Sequence, residues 1–147
     1  MRTRFTVLGI LLLSVVAIHA QQVVIHQTPI PKTSWASGEE MYVKLCSACH
    51  GINGDGHGPA APAFKLPVAD LTTLAKRNGG KFPYEDFDLI MRFGKEAADP
   101  GFHRSAKCPE CMPVWAPLFA TLPNETEASI HQRISNLAHY VASLQSK

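Results

Sequence analysis

The sequence predicts an all-α domain, built from a few short helices that are joined by long loops. The last part of the chain carries an apolar stripe at spacings of four and three residues, which is typical of an amphipathic helix: Ile130, Ile134, Leu137, Val141 and Leu144. No alternating run of strand length occurs in the sequence. Stretches rich in glycine and proline separate the helical segments. These three observations favour helices over any sheet.

The N-terminus has the parts of a secretory signal peptide. Arg2 and Arg4 precede an apolar run from Phe5 to Ile18, and the small residue Ala20 follows it. We therefore expect cleavage after Ala20 and export of the remaining chain. Because the run falls short of the ~20 apolar residues that span a bilayer comfortably, an uncleaved anchor is the less favoured alternative.

This division gives a signal peptide over residues 1–20, a proline-containing tether over 21–34 and a single domain over 35–147. The full chain has fourteen basic and twelve acidic side chains, and loss of the two leader arginines makes the numbers equal. A near-neutral chain argues against strong electrostatic steering of a partner. No basic patch interleaved with aromatic residues indicates nucleic-acid binding.

The first predicted helix begins at a capping box. Ser37 is followed by Glu40 three residues later, and the helix is expected to run to about Cys46. Residues 51–63 are too rich in glycine and proline for regular structure and are expected to form a loop. The buried side of the helix is expected to carry Met41, Leu45 and Tyr42.

Three further helical segments follow from start and stop signals. Asp70 is expected to open a short helical turn. Pro83 suits the first turn of a helix that continues to about residue 93, with Gly94 as its end. The last helix is expected to have Thr126 or Asn124 as its N-cap.

The residues Cys46-Ser47-Ala48-Cys49-His50 form a complete Cys-x-x-Cys-His, the attachment signature of a c-type haem. At this spacing both thiols can reach the vinyl groups on one edge of the porphyrin, and the imidazole of His50 projects at the iron. A thioredoxin-like pair would sit in a βαβ context, which the sequence lacks, and a zinc site would need more ligands at finger-like spacing. We therefore expect one covalently bound haem c with His50 on its iron. The long loops fit a domain whose core is partly supplied by the cofactor.

The chain resembles the class I cytochromes c over most of the domain, and its Met-Pro-Val-Trp block is typical of small bacterial members. The resemblance implies a cytochrome c-like fold in which the first and last helices cross. It places a small residue and an aromatic at that crossing, here Gly38 and Tyr42. The matching segments are residues 38–42, 49–51, 54–59, 70–72, 80–83, 112–115 and 140–145.

The resemblance also implies the second axial ligand. In the family a methionine followed by proline donates its thioether to the iron, and Met112 occupies that position here. Histidine and methionine together raise the redox potential of the iron. His103 is the main rival for this role, because it lies shortly before Met112, and bis-histidine ligation would lower the potential. The less favoured rivals are His57, His131 and His139.

Two supporting roles complete the expected haem environment. In the family a backbone carbonyl near a proline accepts a hydrogen bond from the second ring nitrogen of the histidine ligand. Pro59 is the first choice for this role and Pro62 the alternative. Trp115 is expected to pack against the haem edge or to donate its indole N–H to a propionate, although a plain core tryptophan would give the same pattern.

The segment Cys108-Pro109-Glu110-Cys111 departs from the family pattern, which has no cysteine there. A second haem site would need histidine at the position of Met112, and a metal site that used His103 would have too few ligands. A disulfide between Cys108 and Cys111 fits an exported protein. Such a small ring would stiffen the loop that carries Met112.

The expected function is transfer of single electrons between respiratory-chain partners, by a protein that is not an enzyme. The expected partner is a membrane oxidase, reductase or dehydrogenase complex. The expected location is the periplasm, with membrane association only if the leader is retained. Two alternatives stay open: an electron-transfer subunit of a larger membrane oxidoreductase complex, and a haem enzyme or sensor in which Met112 is displaced.

Overall fold

The structure, a computed structural model, describes residues 29–94 and 112–146. No strand occurs in these two ranges, and the prediction of an all-α fold is confirmed. The helices are α1 (Gly38–Leu45), α2 (Ser47–His50), α3 (Leu74–Arg77), α4 (Tyr84–Phe93), α5 (Trp115–Phe119) and α6 (Glu127–Ser143), with 3-10 turns at Ala61–Ala63 and Leu71–Thr73.

Several predictions fall outside the described residues. They concern the signal peptide 1–20, the first part of the tether, the rival ligand His103 and the pair Cys108 and Cys111. In the part of the chain that the structure does describe, no helix has the length and apolar character that a membrane crossing requires.

Helix α1 begins where the capping residues predict. The Ser37 hydroxyl accepts a hydrogen bond from the Glu40 backbone N–H at 3.0 Å. The Glu40 carboxylate does not return to Ser37 as in a full capping box. It accepts from the Ser34 backbone N–H at 3.1 Å, so it ties the end of the tether to the first turn of α1.

Helix α6 is capped by Thr126 rather than by Asn124. The Thr126 hydroxyl accepts from the Ser129 N–H at 3.2 Å, and the Ser129 hydroxyl accepts from the Thr126 N–H at 2.8 Å. The predicted stripe is confirmed over most of its length, because four of its five members are buried: Ile130, Ile134, Leu137 and Val141. Leu144 is only partly buried, since it follows the last helical residue.

Helices α1 and α6 meet through Gly38 and Tyr42, as the resemblance implies. A Cβ at position 38 would stand 2.1 Å from the Asn136 carbonyl oxygen, so only glycine allows this approach. The Tyr42 ring lies 5.3 Å from the ring of Tyr140, centroid to centroid. The core continues from this contact through Met41, Met91, Trp115 and Phe119.

Helix α4 packs beside α6 and ends at Gly94, whose φ of 89° is a left-handed conformation that glycine adopts easily. Pro83 is the N-cap of the helix rather than its first residue. The Arg92 guanidinium joins the two helices, because it contacts Asp88 of α4 at 2.9 Å and Glu127 in the first turn of α6 at 2.5 Å.

A buried ion pair, which no sequence pattern predicts, lies at one side of the core. The Arg133 side chain is only 5% exposed and pairs with Glu125, whose side chain is 6% exposed. The same guanidinium donates to the Thr33 hydroxyl at 3.0 Å and lies 5.6 Å from the centre of the Phe119 ring. The Arg133 guanidinium therefore contacts Thr33 before α1, Glu125 before α6 and Phe119 within α5.

Candidate functional site

The Cys-x-x-Cys-His segment forms a single helical turn at the end of α1. Cys46 closes α1, since its N–H donates to the Tyr42 carbonyl at 2.9 Å, and it also precedes α2. The Cys46 carbonyl then accepts from the N–H groups of Cys49 at 3.1 Å and His50 at 2.9 Å. The structure therefore brings both thiols and the imidazole onto one turn, and both cysteines are free.

The chemistry of the Cys46 thiol is unlike that of a redox-active pair. Burial raises the pKa of this thiol to about 12, and the neighbouring Cys49 adds to the shift. Thioredoxin-like pairs depend on a cysteine of lowered pKa, because the thiolate is the nucleophile. Across residues 29–94 and 112–146 no three histidine, cysteine or acidic side chains gather as a metal site would require. The structure therefore favours neither a thioredoxin-like redox pair nor a metal site for Cys46 and Cys49.

The His50 ring is fixed by one hydrogen bond to the backbone. Its Nδ1 lies 2.9 Å from the Ala69 carbonyl oxygen. A carbonyl only accepts, so the proton belongs on Nδ1, and Nε2 keeps the lone pair that a metal ligand must donate. This is the arrangement that orients a histidine ligand and increases its basicity.

The prediction that Pro59 or Pro62 supplies this carbonyl is wrong, because Ala69 supplies it. The backbone on either side of Pro59 is held along α2 instead. Gly58 donates to the Cys49 carbonyl at 3.1 Å, and Ala60 donates to the Ala48 carbonyl at 2.8 Å. These two bonds keep Pro59 beside α2, where it is exposed.

Glycines bring residues 68–71 back to the histidine. The Gly54 carbonyl accepts from the Leu71 N–H at 2.7 Å, and the Gly56 N–H donates to the His50 carbonyl at 2.8 Å. Gly56 has a φ of 82°, and a Cβ there would stand 2.6 Å from the Val68 carbonyl oxygen. Residues 54–56 and 68–71 therefore approach more closely than a side chain on Gly56 would allow, and Ala69 comes within reach of the imidazole.

Tyr42 links the contact between α1 and α6 to the residue after His50. Its buried hydroxyl donates to the Gly51 carbonyl at 2.7 Å. Burial raises the pKa of Tyr42 to about 12, so the hydroxyl keeps its proton at neutral pH. The resemblance identified Tyr42 only as an aromatic at the helix crossing, and nothing in the sequence pattern indicated the partner of its hydroxyl.

The remaining predicted site residues lie in the second described range or on the surface. Met112 is 38% exposed, and Trp115 is buried at the start of α5, where its ring stacks on Phe119 at 5.9 Å. A role towards haem stays a prediction for both residues. The rivals for the second axial position that the structure describes are all exposed: His57, His131 and His139.

The side chains of the Cys-x-x-Cys-His turn fit a haem. Both thiols are free, and His50 Nδ1 is engaged by the Ala69 carbonyl, so Nε2 is available to a metal. Large apolar side chains are exposed on the described surface, among them Ile52, Leu66 and Phe93. Singly exposed apolar residues are common on proteins, so the fit to haem rests on the thiols and the imidazole.

Comparison with known proteins agrees with this geometry. The family model for cytochrome c matches residues 35–145, which include α1 through α6. No curated protein and no solved structure matches the chain. The matched region covers well over half of the sequence and contains the whole Cys-x-x-Cys-His turn. The chain therefore belongs to the cytochrome c family: it carries covalently attached haem c and transfers electrons to and from redox partner proteins.

Proposed function

We propose that this protein is an exported class I cytochrome c with one haem, which carries single electrons between respiratory-chain partners. The observation that carries the proposal is the 2.9 Å contact between His50 Nδ1 and the Ala69 carbonyl oxygen. This contact orients the imidazole of His50 and leaves its Nε2 lone pair available to an iron, whichever residue is the second ligand. When bound, the haem supplies an iron that cycles between the ferric and ferrous states.

In this proposal each residue of the turn has one role. Cys46 and Cys49 would hold the haem through thioether bonds, and His50 would offer Nε2 to the iron. The partly buried position of Cys46 suits attachment to an apolar porphyrin better than it suits a thiolate, whose formation the raised pKa disfavours. The α1–α6 contact behind the turn keeps these side chains in fixed positions.

Met112 supplies the second ligand in our proposal, through its neutral thioether sulfur. Such a sulfur favours ferrous over ferric iron and so raises the potential. A disulfide between Cys108 and Cys111 would restrict the loop that leads to Met112. Thiol titration of the denatured, unreduced holoprotein should then find no free cysteine, and two free thiols would exclude the disulfide.

The location follows from the leader and from the cofactor. Residues 1–20 direct export, and c-type haem is attached outside the cytoplasm, so we propose a periplasmic protein. His50 and Met112 would hold the iron from the protein side, and this would leave no room at the iron for a substrate. The partner is then a membrane oxidase, reductase or dehydrogenase complex that exchanges one electron with the haem, and the protein itself is not an enzyme.

Covalent attachment can be tested on protein exported from a host that matures c-type cytochromes. After denaturation, the mass of the chain should equal that of residues 21–147 plus one haem. The double variant Cys46→Ser/Cys49→Ser should lose the covalent haem, whereas the matched control Cys108→Ser/Cys111→Ser should keep it. Haem that acid and solvent extract from the unaltered protein, or that stays attached in the first variant, contradicts the proposal.

The open alternative is a haem sensor or enzyme, in which a small molecule would displace Met112 from the iron. Carbon monoxide titration of the ferrous holoprotein separates the candidates. A carrier should resist carbon monoxide at neutral pH, whereas a sensor should bind it readily and lose the methionine signal.

A further inference from the structure

The carbonyl that meets His50 belongs to an alanine, and an alanine does not fix its own backbone. A proline ring would hold φ near one value, but Ala69 is free to rotate unless its neighbours prevent it. The orientation of the Ala69 carbonyl, and with it the 2.9 Å contact to His50, must therefore be set by other residues.

Asp70, the next residue, is held through its side chain. One carboxylate oxygen accepts from the Thr72 N–H at 2.8 Å and from the Thr72 hydroxyl at 2.6 Å. Asp70 is thereby the N-cap of the 3-10 turn Leu71–Thr73, with a φ of −72° and a ψ of 109°. The Ala69 carbonyl shares its peptide plane with the Asp70 nitrogen, so the cap restrains one of the two torsions that border this plane.

The backbone around Asp70 is held as well. The Asp70 carbonyl accepts from Arg77 Nη2 at 3.1 Å, and the following residue, Leu71, donates its N–H to the Gly54 carbonyl at 2.7 Å. On the other side, Val68 lies directly against Gly56. Ala69 stands between these two anchored positions, and only the side of Asp70 is anchored by a side chain that a single substitution can remove.

We propose that Asp70 is a positioning residue for the haem iron: its carboxylate caps the 71–73 turn and so directs the Ala69 carbonyl at His50 Nδ1. This inference rests on the proposed function, because it takes His50 as an iron ligand. The hydrogen bond makes the imidazole a more basic ligand, which stabilises ferric iron and lowers the redox potential. Asp70 touches neither haem nor iron in this account and acts only through the Ala69 peptide.

The experiment compares four holoproteins: the unaltered protein, Asp70→Ala, Asp70→Asn and Thr126→Ala. Asparagine removes the charge but keeps an oxygen that caps as well as aspartate does. Thr126→Ala removes an N-cap from α6, so it serves as a matched control for loss of a cap. Three quantities are measured on each: hydrogen exchange of the His50 Nδ1 proton by nuclear magnetic resonance, the midpoint potential and the unfolding midpoint.

The His50 Nδ1 proton should exchange about fivefold faster in Asp70→Ala than in the unaltered protein. Loss of an N-cap typically costs about 1 kcal/mol, which corresponds to this factor. Its potential should lie above that of Asp70→Asn, whose exchange should stay within about twofold of the unaltered rate. Thr126→Ala should lose stability without a change in exchange or potential. Unaltered exchange in Asp70→Ala, or equal potentials in the two Asp70 variants, overturns the inference.

Failure of the proposed function would look different. If the His50 ring resonances of the unaltered holoprotein lack the large shifts that a bound iron causes, His50 is not a ligand and both proposals fall. If those shifts are present and Asp70→Ala behaves as the unaltered protein does, only the role of Asp70 is overturned.

Discussion

Gly38 and Asn136 touch through their backbones, since a Cβ on Gly38 would stand 2.1 Å from the Asn136 carbonyl oxygen and 2.9 Å from Tyr140 Cβ. Gly38→Ala must therefore push α1 away from α6. We expect it to lower the free energy of unfolding by about 3 kcal/mol, because overpacking outweighs the gain in helix propensity of about 1 kcal/mol. Denaturant unfolding of the holoprotein measures this loss.

Gly80→Ala is the matched control. A Cβ at Gly80 would meet nothing within 4 Å, and only the left-handed φ of 87° opposes it. We expect a loss of about 1 kcal/mol from backbone strain. Equal losses at Gly38 and Gly80 would mean that the close approach of the two helices does not limit stability.

Replacing only one partner of the Arg133–Glu125 pair should lower the free energy of unfolding strongly. Both side chains are at most 6% exposed, so Glu125→Gln leaves a buried guanidinium without its charge partner. We expect a loss of about 3 kcal/mol, and we expect the double variant Glu125→Leu/Arg133→Met to recover most of it, because two apolar residues need no partner. A double-mutant cycle built from Glu125→Leu, Arg133→Met and their double variant measures the coupling by denaturant unfolding, and additive losses would contradict the prediction.

The same pair should make stability depend on pH. Hydrogen bonds from Arg133 hold the pKa of Glu125 below its ordinary value of 4.5. A carboxyl with a lowered pKa in the folded state stabilises the protein above its ordinary pKa, and this contribution is lost as the pH falls through the lowered value. The unfolding midpoint should therefore fall on acidification below about pH 4.5 in the unaltered protein, and it should fall less in Glu125→Gln. Parallel curves for the two proteins would show that Glu125 does not contribute.

Tyr42→Phe should test the bond between the α1–α6 contact and the haem-attachment turn. The substitution keeps the ring against Tyr140 and removes the 2.7 Å bond to the Gly51 carbonyl, which still accepts from the Gly54 N–H at 3.2 Å. We expect a loss of about 1 kcal/mol in unfolding free energy, the usual net contribution of one hydrogen bond.

Alkaline pH adds a second measurement on Tyr42. The pKa of this group rises from 10.0 to about 12 on folding. A raised pKa favours the protonated form in the folded state, so this contribution is complete below pH 10 and is lost as the pH rises through about 12. Tyr42→Phe should lack this part of the alkaline loss of stability, and an identical alkaline profile in both proteins would contradict the assignment.

The sequence predicted those features that depend on local patterns. Caps at Ser37, Asp70 and Thr126 are confirmed, because a side-chain oxygen and a backbone N–H a few residues later meet in almost any fold. The end of α4 at Gly94 is confirmed for the same reason, since the left-handed conformation is a property of glycine itself.

Contacts between segments that are distant in the sequence could not be predicted from local patterns. The acceptor for His50 is Ala69, and proline signals pointed to the wrong part of the loop because the return of residues 68–71 is set by the close approach of Gly56. The Glu125–Arg133 pair was missed because a charged residue at the edge of an amphipathic stripe is usually solvated. Only the fold shows that α5 and the tether cover it.

We propose that the haem iron is low-spin and that His50 and Met112 hold it in an electron carrier. The most direct measurement is the absorption spectrum of the holoprotein during a potentiometric titration, made also on Met112→Ala and on the control Met91→Leu, which alters a core methionine. We predict low-spin iron in both oxidation states, one positive midpoint, and a weak far-red band of the ferric form that disappears only in Met112→Ala. High-spin iron in the unaltered protein, or a far-red band that survives Met112→Ala, would exclude Met112 as the second ligand.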